Sequence, residues 1–464
     1  MAVLNGRKSS GDARPDNRLA LLDQGFYAGH RAAGQKEVMQ VGWVYERAID
    51  VDGLKRFHQN LTRGLLGRLI ERSPLPFGRD RWVMDPRPAE IDVAPHPRPR
   101  ANLGDWLDEC TQLPLDPESG PGFRLSVLPM GDGSTAVSLV LSHYVIDGIG
   151  AAIAVSQAAF DLNPDLGYPS PHSRGRRQAL VEDARGAARD IPEVARAFVA
   201  AMKEARRRRN DTTRPEPSRA TAGTTNGADS AVMAPSIWIQ IAMDKWNARV
   251  EALGGTNSAL AAAFTARLDR HMGRRHGDSD DVTMLMTVNT RTGEDDLRAV
   301  AVSFARVKID PRGATTDLLA ARTAIRDALK TFKETQADDE SEVFAPLAPF
   351  TPQRAWLQMV EYGLNDPEHP ALCTNLGDTG PAAIRPDGTL CDTAFARGAS
   401  QHLTPRWLER IGSQLHVYFG TAVELNKVGV CVCAYHPSSV TTKAELRELA
   451  TRTLAEFELA GEMN

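Results

Sequence analysis

Cysteine is scarce in this chain: Cys110, Cys373, Cys391, Cys431 and Cys433 are the only five among 464 residues. An odd, scattered count excludes a disulfide framework and points to reduced thiols in a cytoplasmic setting. Cys431 and Cys433 lie two apart in an apolar run, so they share one face of a strand. That spacing makes no zinc knuckle, and core packing is the expectation. No apolar stretch reaches the length of a membrane-spanning helix, which leaves at most peripheral membrane contact. The opening residues MAVLNGRKSS are polar and lack the apolar segment of a secretory signal. An excess of one charge is missing too: 55 Lys and Arg face 59 Asp and Glu, so nucleic acid is not expected as a partner. His271 and His276 have no carboxylate or cysteine at ligand spacing, and "GRRHG" lacks the Lys-Ser/Thr of a phosphate loop. No metal is expected.

What is present is a globular composition, 42% hydrophobic and 25% charged, in a chain too long for one ordinary core. Two halves are expected, 1–168 and 231–464, separated by a helical crossover and linker over 169–230. The crossover is Ala- and Arg-rich from Gln178 to Arg209, with Pro192 inside it. It ends in four arginines that could hold a phosphate group or an anionic membrane surface, or simply complement a helix C-terminus. The run from 210 to 230 is polar, with Pro and Gly and no apolar periodicity.

In the first half a short helix is expected near Leu19 to Phe26 and a strand over Glu37 to Ile49. Next comes a helix capped by Asp50 or Asp52, with Leu54, Phe57, Leu61, Leu65 and Leu69 at helical spacing. Phe123 to Pro129 pairs with the strand Val137 to Leu141 across the Gly131-Asp132-Gly133 turn. The run from Ala151 to Val155 reads as a helix packing back on that strand. In the second half, strands are expected at Ile237–Ile241, Val282–Val288, Val300–Ile309, Leu372–Leu376, Leu415–Phe419 and Val428–Tyr435. Helices are expected on both sides of Gly254-Gly255 and over Thr316 to Phe332, with an acidic loop from Gln336 to Glu342. The last helix opens with the capping box Thr442-x-x-Glu445.

Between the buried strand and the Ala-rich helix stands the chain's densest cluster of functional side chains: Ser142, His143, Tyr144 and Asp147, closed by Gly148 and Gly150. Strand ends with glycine turns are where α/β folds place reactive groups. The spacing His143-x-x-x-Asp147-Gly148 resembles the His-His-x-x-x-Asp-Gly motif of the chloramphenicol-acetyltransferase-like superfamily. That superfamily includes condensation domains of peptide synthetases, wax ester synthase/diacylglycerol acyltransferases and mycobacterial polyketide-associated acyltransferases. "GPGFRLSVLPMGDGSTAVSLVLSHYVIDG" resembles its incoming strand pair, and "VTMLMTVNTR" and "CTNLGD" its second-half strand ends. The departure is Ser142, where the family has its first His.

The resemblance implies an α/β pseudo-dimer of two similar halves with mixed sheets, and an active site in a tunnel at their junction. It implies His143 as general base, and an Asp147 whose carboxylate turns away to pair with an arginine. Arg291 is the first choice for that arginine, Arg306 the second, and Arg124 a fallback from the first half. Gly148 either admits a close approach, with its amide facing a tetrahedral oxyanion, or is an ordinary turn glycine. Asn375 and Gly377 either line the tunnel or form a turn. Ser142 is either a tolerated architectural substitution or the mark of changed chemistry.

The function so implied is acyl transfer from a thioester to an alcohol or amine of lipid or secondary metabolism. The thioester would be on coenzyme A or on the phosphopantetheine arm of an acyl carrier protein. An imidazole titrating near neutrality can take the acceptor's proton and return it to the departing thiolate, with no covalent acyl-enzyme. A monomer without a permanently bound cofactor is expected. The alternatives are a lapsed member of the fold that only binds, and an enzyme that closes a ring on a bound thioester.

Overall fold

The computed structural model describes residues 16–85, 87, 89–210, 231–274, 280–293, 296–335, 343–364, 366 and 368–464. The expected linker over 211–230, the acidic loop over 336–342 and His276 lie outside the described residues, as do the side chains of Arg207, Arg208 and Arg209.

The first half runs α1 (Leu21–Ala33), β1 (Lys36–Tyr45), α2 (Val51–Arg63), β2 (Arg68–Glu71), β3 (Arg81–Met84), β4 (Asp92–Val93) and α3 (Leu103–Thr111). It continues through β5 (Phe123–Pro129), β6 (Thr135–Ser142) and α4 (Gly148–Ala159) into the long α5 (Arg176–Asn210). The second half holds β7 (Ser236–Ala242), α6 (Met243–Ala252), α7 (Asn257–Met272), β8 (Val282–Asn289), β9 (Val302–Ile309), α8 (Leu319–Thr335) and α9 (Gln353–Leu364). Then follow β10 (Ala371–Asp378), α10 (Gly380–Ala383), β11 (Thr393–Gln401), α11 (Pro405–Ile411), β12 (Gln414–Ala422), β13 (Lys427–Tyr435), α12 (Lys443–Glu456) and β14 (Glu462–Met463).

Local chemistry sets many of these boundaries. Asp50 caps α2 by accepting from the amides of Asp52 and Gly53, Thr256 caps α7, and the Thr442–Glu445 capping box forms at α12. The α2 helix stops at Arg63. Leu65 falls in a short 3-10 turn and Leu69 in β2, so the helical spacing of the leucines outruns the helix. The α1 helix runs on to Ala33, well past the expected end at Phe26, and closes on the left-handed Gly34.

Two sheets carry the molecule. The first has the order β11-β1-β6-β5-β4 and the second β14-β7-β13-β12-β10-β8-β9. The second is mixed: β10 runs parallel to both β8 and β12, whereas β13 is antiparallel to β12 and to β7. Its outer face, with Ile237, Ile239, Val417, Phe419, Val430 and Val432, is buried against α7 and α12. The first sheet packs Trp43, Leu125, Leu139 and Leu141 against α2 and α4.

The division at 231 does not separate the sheets. The strand β11, from the second half of the chain, pairs with β1 along its length, from Lys36 opposite Gln401 to Val44 opposite Thr393. The span 231–464 therefore completes the first sheet as well as building the second. Expectation had assigned no element to 393–401.

Candidate active site

The strand β6 is buried at every position, from Thr135 to Ser142, and delivers the chain to the junction between the sheets. Beyond it the His143 amide still donates to the Glu37 carbonyl at 3.0 Å, so the register with β1 holds one residue past the strand. Arg68, fully buried, donates from Nε to the Val145 carbonyl at 2.9 Å and from Nη1 to the Leu297 carbonyl at 2.6 Å. The loop 143–147 is thereby tied both to its own half and to the segment after β8.

Asp147 completes this bracing. Its Oδ1 accepts from the Gly150 amide at 2.7 Å, capping α4, and from Arg291 Nη2 at 2.7 Å; its Oδ2 accepts from the Ala301 amide at 2.8 Å. Both members of the ion pair are buried, with side-chain exposures of 1% and 7%. Arg306 instead pairs with Asp366 and Glu368, and Arg124 lies against Asp92 and the Pro114 carbonyl. Asp23 adds a parallel clamp, accepting from the amides of Ala299 and Val300.

A cavity of about 1570 Å³ opens along this junction, lined from both halves by residues that include His143, Asp147, Gly148, Asn375 and Leu376. His143 packs beside Phe26, with ring centroids 5.4 Å apart. Its Nδ1 is buried and meets no well-aligned partner among the described residues. Burial holds the imidazole below its ordinary pKa; the carbonyls of His143 and Ile146 and the Asp147 carboxylate pull weakly the other way. A neutral imidazole on a cavity wall is in the protonation state that accepts a proton.

Of the other expected site residues, Gly148 and Asn375 line the cavity, whereas Ser142, Tyr144 and Gly377 lie behind its wall. Ser142 is 2% exposed, and its Oγ accepts from the Tyr144 amide at 3.4 Å. Tyr144 donates to the Gln35 carbonyl and accepts from the Glu37 amide, locking the turn before β1 to the His143 loop. Gly377, with φ +71, closes a turn in which its amide donates to Asn375 Oδ1; Asn375 also donates to Ser258. At Gly148 a side chain would meet only Leu376, at 3.6 Å, so no close approach explains this glycine. The close approach is at Gly150, where a Cβ would stand 2.7 Å from Ile146 and 2.8 Å from Arg291 Nη2. Cys431 and Cys433 share a strand face and are both buried, as expected, Cys431 in an apolar cluster with Trp238 and Phe395; the same face also borders the cavity, beneath β11. Burial pushes the Cys431 thiol up to about 12, so it stays protonated.

Three cavity residues were not legible as site residues. Glu37 is the second residue of β1, Ser400 lies opposite it on β11, and His30 stands one turn after Phe26 on α1. The signal for Glu37 was an acid at the start of a mostly apolar strand. Ser400 had none, because its strand was not recognised.

No family model matches the chain, and no curated protein matches it by sequence. Solved structures do match. The first condensation domain of the CDA synthetase aligns with 97% of this chain and 100% of its own, at TM-score 0.56 and 14% identity. The TRI3 trichothecene 15-O-acetyltransferase from Fusarium sporotrichioides aligns over 97% and 96%, at 0.56 and 14%. Polyketide synthase associated protein 5 from Mycobacterium tuberculosis aligns over 94% and 97%, at 0.53 and 14%. The chain therefore has the two-lobed condensation-domain fold, the chloramphenicol-acetyltransferase-like fold that its sequence resembles.

Proposed function

We propose that this protein is an acyltransferase that moves an acyl group from a thioester to an alcohol or amine, with His143 as general base. The observation that carries the reading is the placement of the His143 imidazole on the wall of a large junction cavity, on a loop braced by the buried Asp147–Arg291 pair. The similar structures include an acetyltransferase and a condensation domain, which supports transfer chemistry at this place in the fold. The acceptor's heteroatom forms the new bond to the acyl carbon while His143 takes its proton. The C–S bond then breaks, and the proton passes to the thiolate. The amide of Gly148, at the head of α4, is the group we assign to the oxyanion. Coenzyme A or a carrier protein's phosphopantetheine would supply the thioester.

Ser142 does not weigh against this reading. It does not line the cavity, and its hydroxyl serves a backbone amide. The deciding experiment is mass spectrometry of products after incubation with mixed acyl-thioesters and a metabolite extract, with His143→Ala as control. Acyl adducts that vanish in the variant support the proposal. Adducts of equal yield in both would remove His143 from the mechanism, and ring-closed products would replace intermolecular transfer by cyclisation.

A further inference from the structure

Register places a second acid–base group beside His143. Antiparallel partners point to the same face of a sheet. Glu37 is opposite His143 on one side, through the 3.0 Å amide bond, and opposite Ser400 on the other. His143, Glu37 and Ser400 thus form a row across β6, β1 and β11, and all three line the cavity. Ser400 Oγ lies 3.0 and 2.8 Å from the two carboxylate oxygens of Glu37.

The other acids on the cavity wall each have a cation. Asp108 has Arg397 and Lys443, Asp147 has Arg291, and Asp366 has Arg306. Glu37 has none among the described residues. Its remaining exposure is to the cavity, and the surrounding protein desolvates it enough to push its carboxyl up to about 7. Tyr418, on β12 of the other sheet, lies close enough to feel its charge. An acid held by one hydroxyl on the wall of an apolar cavity is an incomplete ion pair, and a ligand cation would complete it.

We propose that Glu37, oriented by Ser400, is the subsite for the ammonium group of the acceptor, which makes this a transferase for primary amines. The inference rests on the transferase reading and selects between its two acceptor classes. The ammonium nitrogen docks on the carboxylate and gives it one proton, leaving a free amine and a neutral acid. The amine forms the C–N bond, and the C–S bond breaks with its electrons on sulfur. His143 takes the nitrogen's second proton and passes it to the thiolate, and Glu37 then releases its proton to solvent. A desolvated ammonium has a lowered pKa, which brings it toward that of the carboxyl.

The test compares octylamine with octanol by titration calorimetry at pH 8, with no thioester present, on wild type, Glu37→Gln and Glu37→Ala. The expected result is amine binding at least about tenfold tighter than alcohol binding in wild type, a ratio under about twofold in both variants, and unchanged octanol affinity. No amine preference in wild type, no octylamine binding at millimolar concentration, or a preference that survives in either variant overturns the inference. The wild-type comparison decides even if a variant fails to fold. Acyl transfer is read separately: if wild type acylates octanol as readily as octylamine, the subsite fails while the transferase stands. If it acylates neither but still binds the amine through Glu37, the transferase reading fails while the subsite stands.

Discussion

At the residue scale, His143 and Glu37 show how one strand register assembles opposite titration behaviours. Burial favours the neutral form of each, lowering the imidazole and raising the carboxyl. His143→Ala should cut acyl transfer by about 10² to 10⁴ in kcat with little change in melting temperature, as steady-state rates and calorimetry would report. With an alcohol acceptor, so that Glu37 plays no part, the wild-type rate should hold below the ordinary histidine pKa of about 6.5 before falling. A fall centred above that value would contradict a desolvated base. Glu37 makes a stability statement of its own. Its folded pKa, about 7, lies above an unfolded value of about 4.3. Its contribution is therefore fully present below the unfolded value and lost as pH rises through 7. Glu37→Gln should leave the melting temperature unchanged at pH 4 and raise it at pH 8, by thermal denaturation. Ser142→Ala should keep activity within about tenfold, because it removes one weak hydrogen bond from a buried amide.

At the element scale, the loop 143–147 and the segment 289–301 hold each other. Asp147, Asp23 and Arg68 bind Ala301, Ala299, Val300 and Leu297 by their backbone groups, and Arg291 returns the contact. Asp147 serves both as the α4 cap and as a buried counter-ion, so its loss leaves Arg291 buried with its charge unmatched. Asp147→Ala should cost about 3–5 kcal/mol of stability and lower activity with it. An unchanged denaturation midpoint would show that the pair does not hold the junction. Arg291 was legible in the sequence because it follows an apolar strand bound for the junction. Asp23 and Arg68 were not, since nothing near them in the sequence suggests that a helix start and a strand start meet the second half.

At the scale of the whole molecule, β11 is the element that makes two halves one protein. It crosses from the second half to edge the first sheet, carrying Ser400 to Glu37 and Arg397 to Asp108. Without it, β1 would be an open edge strand, a template for association with other chains. Residues 1–225 produced alone should aggregate, and co-production with 226–464 should recover soluble protein by gel filtration. A soluble, monomeric first fragment would refute this account.

The sequence by itself determined the buried strand, the His143-x-x-x-Asp147-Gly148 turn, the helix that follows it and most of the second-half strands. Each of these is written in local periodicity and capping chemistry, which act over a few residues. Only the tertiary structure decided the rest. The strand Thr393–Gln401 is small, with alanines and a glycine, and has little intrinsic preference for a sheet; its pairing with β1 fixes it. Glu37 and Ser400 are 363 positions apart and meet because strand register, a non-local property, brings them into one row with His143. Burial then shifts the titration of Glu37 and His143, and burial depends on every element packed around the cavity rather than on the residues that flank each one.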